Sequence, residues 1–263
     1  MAKDILSRIV ARKHIDVEQA RQKIPLGEIR DRAAAAPASR AFLEQFSGKR
    51  QSTVNIIAEV KRASPSKGPI RPDLDPAALA GAYAAGGAAA ISVLTDTPYF
   101  MGSLDDMAAA KAAVDIPVLR KDFILSEYQV YESRAHGADA ILLIARILAP
   151  EKLQVLYELS QSLGMGVLLE IHTAIEVAAA MAAGARLIGI NNRNLKSFAT
   201  DMQTAVRLAE RLGPDCIPVA ASGISTKADI EANLAAGINS FLIGESLVRA
   251  ANATRLLQEL IDG

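Results

Sequence analysis

Cysteine is nearly absent from this sequence of 263 residues, which contains only Cys216. One thiol excludes an internal disulfide framework and a metal site built from several cysteines. The three histidines lie far apart without metal-ligand spacing, so we expect no bound metal ion. Long apolar segments are also missing, because no stretch reaches the ~18 uninterrupted apolar residues of a membrane-spanning helix. The first residues lack the apolar core of a signal peptide, so we expect a cytoplasmic protein that contacts no membrane.

An excess of charge of either sign is absent as well. The 29 basic residues balance the 29 acidic ones, which gives a formal net charge of zero at pH 7. This balance argues against a nucleic-acid partner or a membrane surface recognised through bulk charge. An anionic ligand therefore has to be held by a local site.

Eight short runs rich in isoleucine, valine and leucine predict eight β-strands. Their residues are nearly all apolar rather than alternating, which is typical of strands that are covered on both faces. Segments rich in alanine, leucine, glutamate and glutamine separate the runs and predict helices, as in parallel βαβ units. Thr173 and Glu176 have the spacing of a reciprocal capping box at the start of one such helix. The predicted strands are residues 54–60, 89–94, 117–119, 140–145, 167–171, 187–190, 217–220 and 241–243.

A glycine preceded by alanine-rich sequence recurs roughly every 50 residues, each time just before a strand. Four copies of a unit that holds two strands give eight strands, which is typical of a closed (β/α)8 barrel. We predict one domain, in which residues 51–263 form the barrel and residues 1–50 form a helical extension packed on one end of it. The repeated glycines are Gly87, Gly137, Gly184 and Gly237.

Charged side chains follow the first predicted strand, at the barrel end where the chemistry of this fold is found. Glu59 and Lys61 are two residues apart, so they project on the same side of the strand, into the barrel. An unpaired buried charge is costly. The two residues therefore either form a structural ion pair with each other or belong to a functional site.

Other strands end in further polar residues. Lys121 has the parity to point inward from a strand that begins at residue 117, whereas its neighbour Arg120 does not. Glu170 follows four apolar residues, and Asn191 is the first polar side chain after another apolar run. Two lysines, two glutamates and an asparagine that converge from four strands indicate a catalytic site.

The loops after strands seven and eight, together with the loop after strand one, predict a phosphate site. Loops of this kind expose backbone N–H groups, and glycine lets an anion approach the backbone closely. The substrate that this predicts is a small phosphorylated molecule. The residues concerned are Ser222 and Gly223, Gly244 and Glu245, and Ser64.

The predicted chemistry is proton transfer without a cofactor. Lysines would act as general acids and glutamates as proton acceptors. We expect burial and like-charged neighbours to lower the lysine pKa values and raise the glutamate pKa values towards neutrality. No dinucleotide fingerprint, metal triad or nucleophile elbow is present in the sequence.

One segment resembles the signature sequence of the indole-3-glycerol phosphate synthase family, which acts in tryptophan biosynthesis. It is IAEVKRASPSKG at residues 57–68. Five further segments are similar to the same family: LTD at 94–96, LRKDF at 119–123, LEIH at 169–172, NNRNL at 191–195 and SGI at 222–224. The resemblance covers the whole chain, and the loop after residue 96 departs from it at Pro98 and Met101.

The resemblance implies a carboxy-lyase that converts 1-(2-carboxyphenylamino)-1-deoxyribulose 5-phosphate into indole-3-glycerol phosphate. Lys121 would be the general acid at the ketone oxygen, and Glu170 the acid and base in proton removal and dehydration. Lys61 would hold the substrate carboxylate or act as the acid for loss of the hydroxyl. Glu59 and Asn191 would position the hydroxyls and the ring-nitrogen region.

The resemblance also implies the binding residues and the partners. Arg193 would bind the anthranilate carboxylate, and Phe100 and Phe123 would wall the pocket for the aromatic ring. No cofactor, nucleic acid or membrane is implied, and we expect a monomer or a weak homodimer. The phosphate would be held by Ser64, Gly223, Gly244 and Glu245, with Ser222 nearby.

Three alternatives remain at this stage. A Schiff-base aldolase would use Lys121 or Lys61 as a nucleophile on a phosphorylated ketose. A phosphoribosylanthranilate isomerase is disfavoured, because that family has a cysteine where this chain has Glu59. A non-catalytic protein would use the same pocket only to bind a phosphorylated ligand.

Overall fold

The computed structural model describes residues 5–48, 54–194 and 198–262. Within these residues, eight parallel strands close into a barrel in which β1 pairs with both β2 and β8. This confirms the predicted (β/α)8 barrel. The strands are β1 (Asn55–Val60), β2 (Ala90–Leu94), β3 (Val118–Lys121), β4 (Ala140–Ile144), β5 (Gly166–Ile171), β6 (Leu187–Asn191), β7 (Ile217–Ala221) and β8 (Ser240–Ile243).

Helices follow the strands and cover the outside of the barrel. A two-stranded hairpin, Ala63–Ser64 with Gly68–Pro69, and two short 3-10 turns, Leu43–Phe46 and Ala145–Ile147, complete the described elements. The helices are α1 (Ile5–Lys23), α2 (Leu26–Ala35), α3 (Pro76–Ala85), α4 (Thr97–Phe100), α5 (Leu104–Ala113), α6 (Glu127–Ala135), α7 (Pro150–Ser162), α8 (Ala174–Ala182), α9 (Gln203–Ala209), α10 (Lys227–Leu234), α11 (Glu245–Arg249) and α12 (Ala253–Asp262).

Alternation along the strands divides the core into two layers. On β1, Ile56 and Ala58 pack between the barrel and the helices, whereas Ile57 packs inside the barrel. The same alternation on β3 places Val118 outside and Leu119 inside. Because side chains alternate between the faces of a strand, every second residue at the strand ends is directed into the barrel interior.

The N-terminal extension contacts both ends of the barrel, whereas the sequence predicted contact at one end. Phe42 and Phe46 pack together with the inner core, and Phe42 lies against Gly166 at the start of β5. At the opposite end, Ile9 of α1 borders the cavity at the ends of the strands. Buried Lys13 of α1 also reaches the carboxylates that follow β2 and β3.

The helix starts agree with the sequence only in part. Thr173 precedes α8 as predicted, but its side chain makes no capping hydrogen bond. Glu176 accepts the backbone N–H of His172 rather than that of Thr173, and it also pairs with Arg146. The capping-box prediction is therefore wrong, because tertiary partners occupy the glutamate. No helix in the described parts of the chain has both the length and the apolar content to cross a membrane.

Candidate functional site

A cavity of about 420 Å³ opens at the C-terminal ends of the strands. All the site residues predicted from the sequence line it. Those at the strand ends are Glu59, Lys61, Lys121, Glu170 and Asn191. Those in the loops and short helices that follow are Ser64, Phe100, Phe123, Arg193, Ser222, Gly223, Gly244 and Glu245.

Glu59 lies at the centre of the charged part of the cavity. Its Oε1 accepts from Nζ of Lys61 at 2.5 Å, and its Oε2 accepts from Nζ of Lys121 at 2.7 Å. Burial raises the pKa of Glu59, but the ammonium groups of Lys121 and Lys61 outweigh it and lower the pKa to about 2. The structural ion pair considered from the sequence is therefore present, and it includes a second lysine from another strand.

The pKa shifts run opposite to those expected from the sequence. Burial lowers the pKa of Lys121, but the charges of Glu59 and Glu170 raise it overall. Burial raises the pKa of Glu170, but His172, Lys121 and Asn191 lower it overall. The prediction of shifts towards neutrality is wrong, because each charge faces a partner of opposite sign that outweighs desolvation. Lys121 and Glu170 are both charged at neutral pH in the free protein.

Glu170, near the end of β5, is held from two sides. The amide of Asn191 on β6 donates to its Oε1 at 3.2 Å. Nε2 of His172 lies 3.2 Å from the same oxygen. The backbone N–H of Arg193 donates to Oδ1 of Asn191 at 3.0 Å, which orients the amide towards Glu170. These contacts direct the carboxylate into the cavity.

Arg193 lies in the loop after β6, on the edge of the cavity. Its Nη1 donates to the carbonyl of Phe198 at 3.3 Å, and a backbone bridge pairs it with Thr200. These contacts hold Arg193 at the cavity. Leu195, the last residue of the NNRNL segment, lies outside the described residues.

Aromatic and aliphatic side chains form another wall of the cavity. The rings of Phe100 and Phe123 lie 6.1 Å apart between centroids and are tilted by 40°. Ile5 and Leu6 of α1 also line the cavity. The sequence identified these two residues as part of an amphipathic helix but not as cavity residues, because helical periodicity does not show where a helix docks.

The loop after β7 holds two consecutive residues in the left-handed region, Ser222 (φ 69°) and Gly223 (φ 85°). At Gly223 a Cβ atom would lie within 2.6 Å of the side chains of Thr200 and Met202, so the position suits only glycine. Buried Asn192 fixes this loop, because its amide donates to the carbonyl of Ser222 at 3.1 Å.

Gly244 brings the loop after β8 against the charged cluster. A Cβ atom at Gly244 would collide with the carboxylate of Glu59. The close approach places the start of α11, with Glu245, beside the loop after β7 and the hydroxyl of Ser64. The resulting edge of the cavity, rich in backbone and hydroxyl groups, suits an anion.

Sequence reasoning missed the supporting residues His172, Asn192 and Asp122. Each directly follows a residue of the predicted site or lies two positions from it, so this closeness in sequence could have identified them. Asp122 is buried and accepts from Thr95 Oγ1 at 2.7 Å and from Lys13 at 2.7 Å. Within the described ranges, no group of three or more His, Cys, Asp or Glu side chains is placed to hold a metal ion.

A sequence model of the family described as indole-3-glycerol phosphate synthase matches residues 6–260. A relative with this name from Desulfosudis oleivorans is 54% identical over 259 residues, which cover 98% of each protein. Another with the same name, from Syntrophobacter fumaroxidans, is 46% identical over 257 residues, which cover 98% of this chain and 97% of the relative. A solved structure of 3-hexulose-6-phosphate synthase matches with a TM-score of 0.64 at 18% identity, over 79% of this chain and 98% of its own, and shares the fold. The chain belongs to the indole-3-glycerol phosphate synthase family.

Proposed function

We propose that this chain converts 1-(2-carboxyphenylamino)-1-deoxyribulose 5-phosphate into indole-3-glycerol phosphate, with loss of CO2 and water. The observation that carries the proposal is the convergence of Lys61 and Lys121 on Glu59, within a cavity that also has an aromatic wall. The lysine ammonium groups can donate protons to a ketone, and the aromatic wall beside them can bind a planar ring. We propose a role for each residue of the site.

Lys121 protonates the ketone oxygen while the aromatic carbon attacks the carbonyl carbon. The uncatalysed attack is slow because the ketone is a weak electrophile and the ring has to lose aromaticity. A lysine that Glu59 and Glu170 keep charged is ready to stabilise the developing alkoxide. Phe100 and Phe123 hold the ring against the ketone, so the two carbons meet in a productive orientation.

Glu170 takes the proton that is removed from the ring system and returns a proton in the dehydration. Its ionised state in the free protein makes it a base when the substrate arrives. Asn191 orients this carboxylate through the amide that donates to Oε1. The substrate carboxylate leaves as CO2 and one hydroxyl leaves as water, so each turnover takes up one proton from solvent.

Lys61 and Arg193 bind the anthranilate carboxylate until it leaves. Glu59 holds both lysines and the substrate hydroxyls. The phosphate binds where the loops after β7 and β8 meet, at Gly223, Gly244 and the backbone N–H of Glu245, with the hydroxyls of Ser64 and Ser222 beside them.

The partner is a phosphorylated small molecule, and no nucleic acid or membrane takes part. We propose the cytoplasm as the compartment and a monomer or weak homodimer as the assembly. The soluble phosphorylated substrate supports the proposed compartment.

The test is incubation of the protein with the anthranilate-bearing deoxyribulose phosphate. We expect the indole product, followed by its fluorescence, and CO2 to form together in equimolar amounts. Ring product without CO2, or no product, would contradict the proposal.

The aldolase alternative requires a neutral, unpaired lysine. Here both Lys61 and Lys121 contact Glu59, and Lys121 has a raised pKa, which disfavours nucleophilic attack. Borohydride treatment in the presence of substrate should therefore leave the protein mass unchanged. A stable adduct on either lysine would support the aldolase.

A further inference from the structure

His172 lies beside the carboxylate of Glu170 but does not line the cavity. Its side chain is only 3% exposed, and its Nε2 lies 3.2 Å from Oε1 of Glu170. No step of the proposed reaction uses this imidazole, although its one close partner in the cavity is the carboxylate that exchanges the proton. A buried imidazole in this position affects that carboxylate through its charge.

The other ring nitrogen faces a second carboxylate. Nδ1 of His172 lies 3.6 Å from Oε2 of Glu176, which lies in the first turn of α8. The same oxygen accepts the backbone N–H of His172 at 2.6 Å, and Nε of Arg146 binds the other oxygen at 3.0 Å. Glu176 is therefore fixed against the ring and does not line the cavity.

The charges alternate in sign from the cavity outwards. Lys121 of β3 faces Glu170 of β5, then His172 follows, then Glu176 of α8, and finally Arg146 in the 3-10 turn after β4. Burial lowers the pKa of His172, and Arg146 also lowers it, but Glu170 and Glu176 outweigh them and raise it to about 9. The pKa of Glu176 is correspondingly lowered to about 2. The imidazole is thus a cation between two anions at neutral pH.

We propose that His172 is a positioning residue that acts through Glu170, and that its positive charge, supported by Glu176, keeps the Glu170 carboxylate ionised in the free enzyme. This inference rests on the proposed function, in which Glu170 is the proton acceptor. Burial alone favours the neutral acid, which is unable to accept a proton. His172 therefore prepares the base without touching the substrate.

The charge of His172 is measured directly by an NMR titration of the imidazoles. The chain has three histidines, so the signal that disappears in His172→Gln identifies the residue. We expect the His172 midpoint near 9 in the wild-type protein. In Glu176→Gln it should fall by about one to two pH units, because one of the two neighbouring anions is gone. A wild-type midpoint near the ordinary histidine value, or no change in Glu176→Gln, would overturn the proposal.

The effect on Glu170 is measured by the pH profile of kcat/KM in His172→Gln, which keeps an N–H donor but carries no charge. We expect the acid limb to move up by about one to two pH units, because loss of the cation raises the pKa of Glu170. The matched control is His136→Gln, since the ring of His136 bonds the backbone carbonyl of Glu132 and lies outside the cavity. Its profile should follow the wild type.

A structural role predicts a different result. If His172→Gln lowers kcat/KM equally at every pH, with the acid limb unmoved, the charge of His172 has no part in catalysis and the inference fails. If the wild-type protein gives no product from the substrate, the proposed function fails instead. The imidazole titration needs no turnover, so it still decides whether His172 carries its charge.

Discussion

Lys121, the last residue of β3, places its Nζ 2.7 Å from Oε2 of Glu59 on β1, while Lys61 takes the other oxygen of the same carboxylate. One buried anion therefore holds two lysines in place, both of which we propose as catalytic residues. The arrangement directs both lysines into the cavity before the substrate arrives, and the charge of Glu59 helps to raise the pKa of Lys121. It also makes the stability of the fold depend on the Glu59 carboxylate.

This dependence predicts a pH effect on stability. The pKa of Glu59 falls from 4.5 to about 2 on folding, so its contribution is present above pH 4.5 and is lost as the pH falls towards 2. The shift corresponds to a free energy on the order of 3 kcal/mol. We expect Glu59→Gln to be less stable than the wild type at pH 7 by about 3 kcal/mol, because two ammonium groups lose their partner.

Urea unfolding between pH 7 and pH 3 checks this prediction. The free energy of unfolding of the wild type should decline more steeply below pH 4.5 than that of Glu59→Gln. Glu28→Gln is the control, since Glu28 is half exposed and pairs with exposed Arg32. Parallel curves for Glu59→Gln and the wild type would show that Glu59 has an ordinary pKa.

Loss of Lys121 should abolish turnover while the protein stays folded. Lys121→Ala removes the proposed general acid, but Lys61 still neutralises Glu59. We expect a fall in kcat of about 10²- to 10⁴-fold, with an unchanged circular dichroism spectrum. Lys152→Ala on α7 is the control, because Lys152 is 40% exposed and remote from the cavity. Turnover by Lys121→Ala at the wild-type rate would show that Lys121 is not the general acid.

The barrel was predictable from the repeated glycines and the alternation of strand and helix segments, and the inward direction of the site residues was predictable from the alternation of side chains along each strand. Residues two apart on a strand share a face, so the sequence alone predicted that Glu59, Lys61 and Lys121 point into the barrel. Arg120 illustrates the same rule, since it points outward and pairs with Asp122 and Glu132. The predicted end of β3 was two residues short, because two consecutive charges are unusual inside a strand.

The protonation states and the role of Glu176 were not predictable. A pKa depends on which charges other strands bring within a few ångströms, and sequence spacing does not contain that distance. Glu176 has the spacing of a helix cap, yet Arg146 and His172 compete successfully for its oxygens. The docking of α1 at the cavity likewise depends on tertiary contacts, which sequence spacing does not show.

A methyl group at Gly244 should disturb catalysis more than folding. The Cβ atom of Gly244→Ala would collide with the Glu59 carboxylate, because it would lie 2.4 Å from Oε1. The displaced Glu59 would misplace both lysines, so we expect at least a tenfold fall in kcat/KM and a stability loss of about 1–3 kcal/mol.

Gly81→Ala is the matched control for this substitution. Gly81 lies inside α3 with no atom within 4 Å of an added Cβ, so alanine should stabilise the helix by about 0.5–1 kcal/mol and leave the kinetics unchanged. Steady-state kinetics and thermal unfolding of both variants check the prediction. If Gly244→Ala has wild-type kinetics, the loop after β8 shifts to accommodate the methyl group and Glu59 stays in place.

The attachment of the N-terminal extension should depend mainly on Lys13. This lysine is 7% exposed in its side chain and lies 2.8 Å from Asp96 and 2.7 Å from Asp122, on the loops after β2 and β3. Burial lowers the pKa of Lys13, but the two carboxylates raise it overall, so the charge persists at neutral pH. Lys13→Met would remove the cation that these two buried carboxylates share, and we expect a loss of about 3–5 kcal/mol in the free energy of unfolding in urea.

The control is Arg12→Ala, which breaks an exposed pair with Asp16 and should cost less than about 1 kcal/mol in the same urea titration. Equal losses in the two variants would mean that α1 is held by its apolar face and not by this buried ion pair.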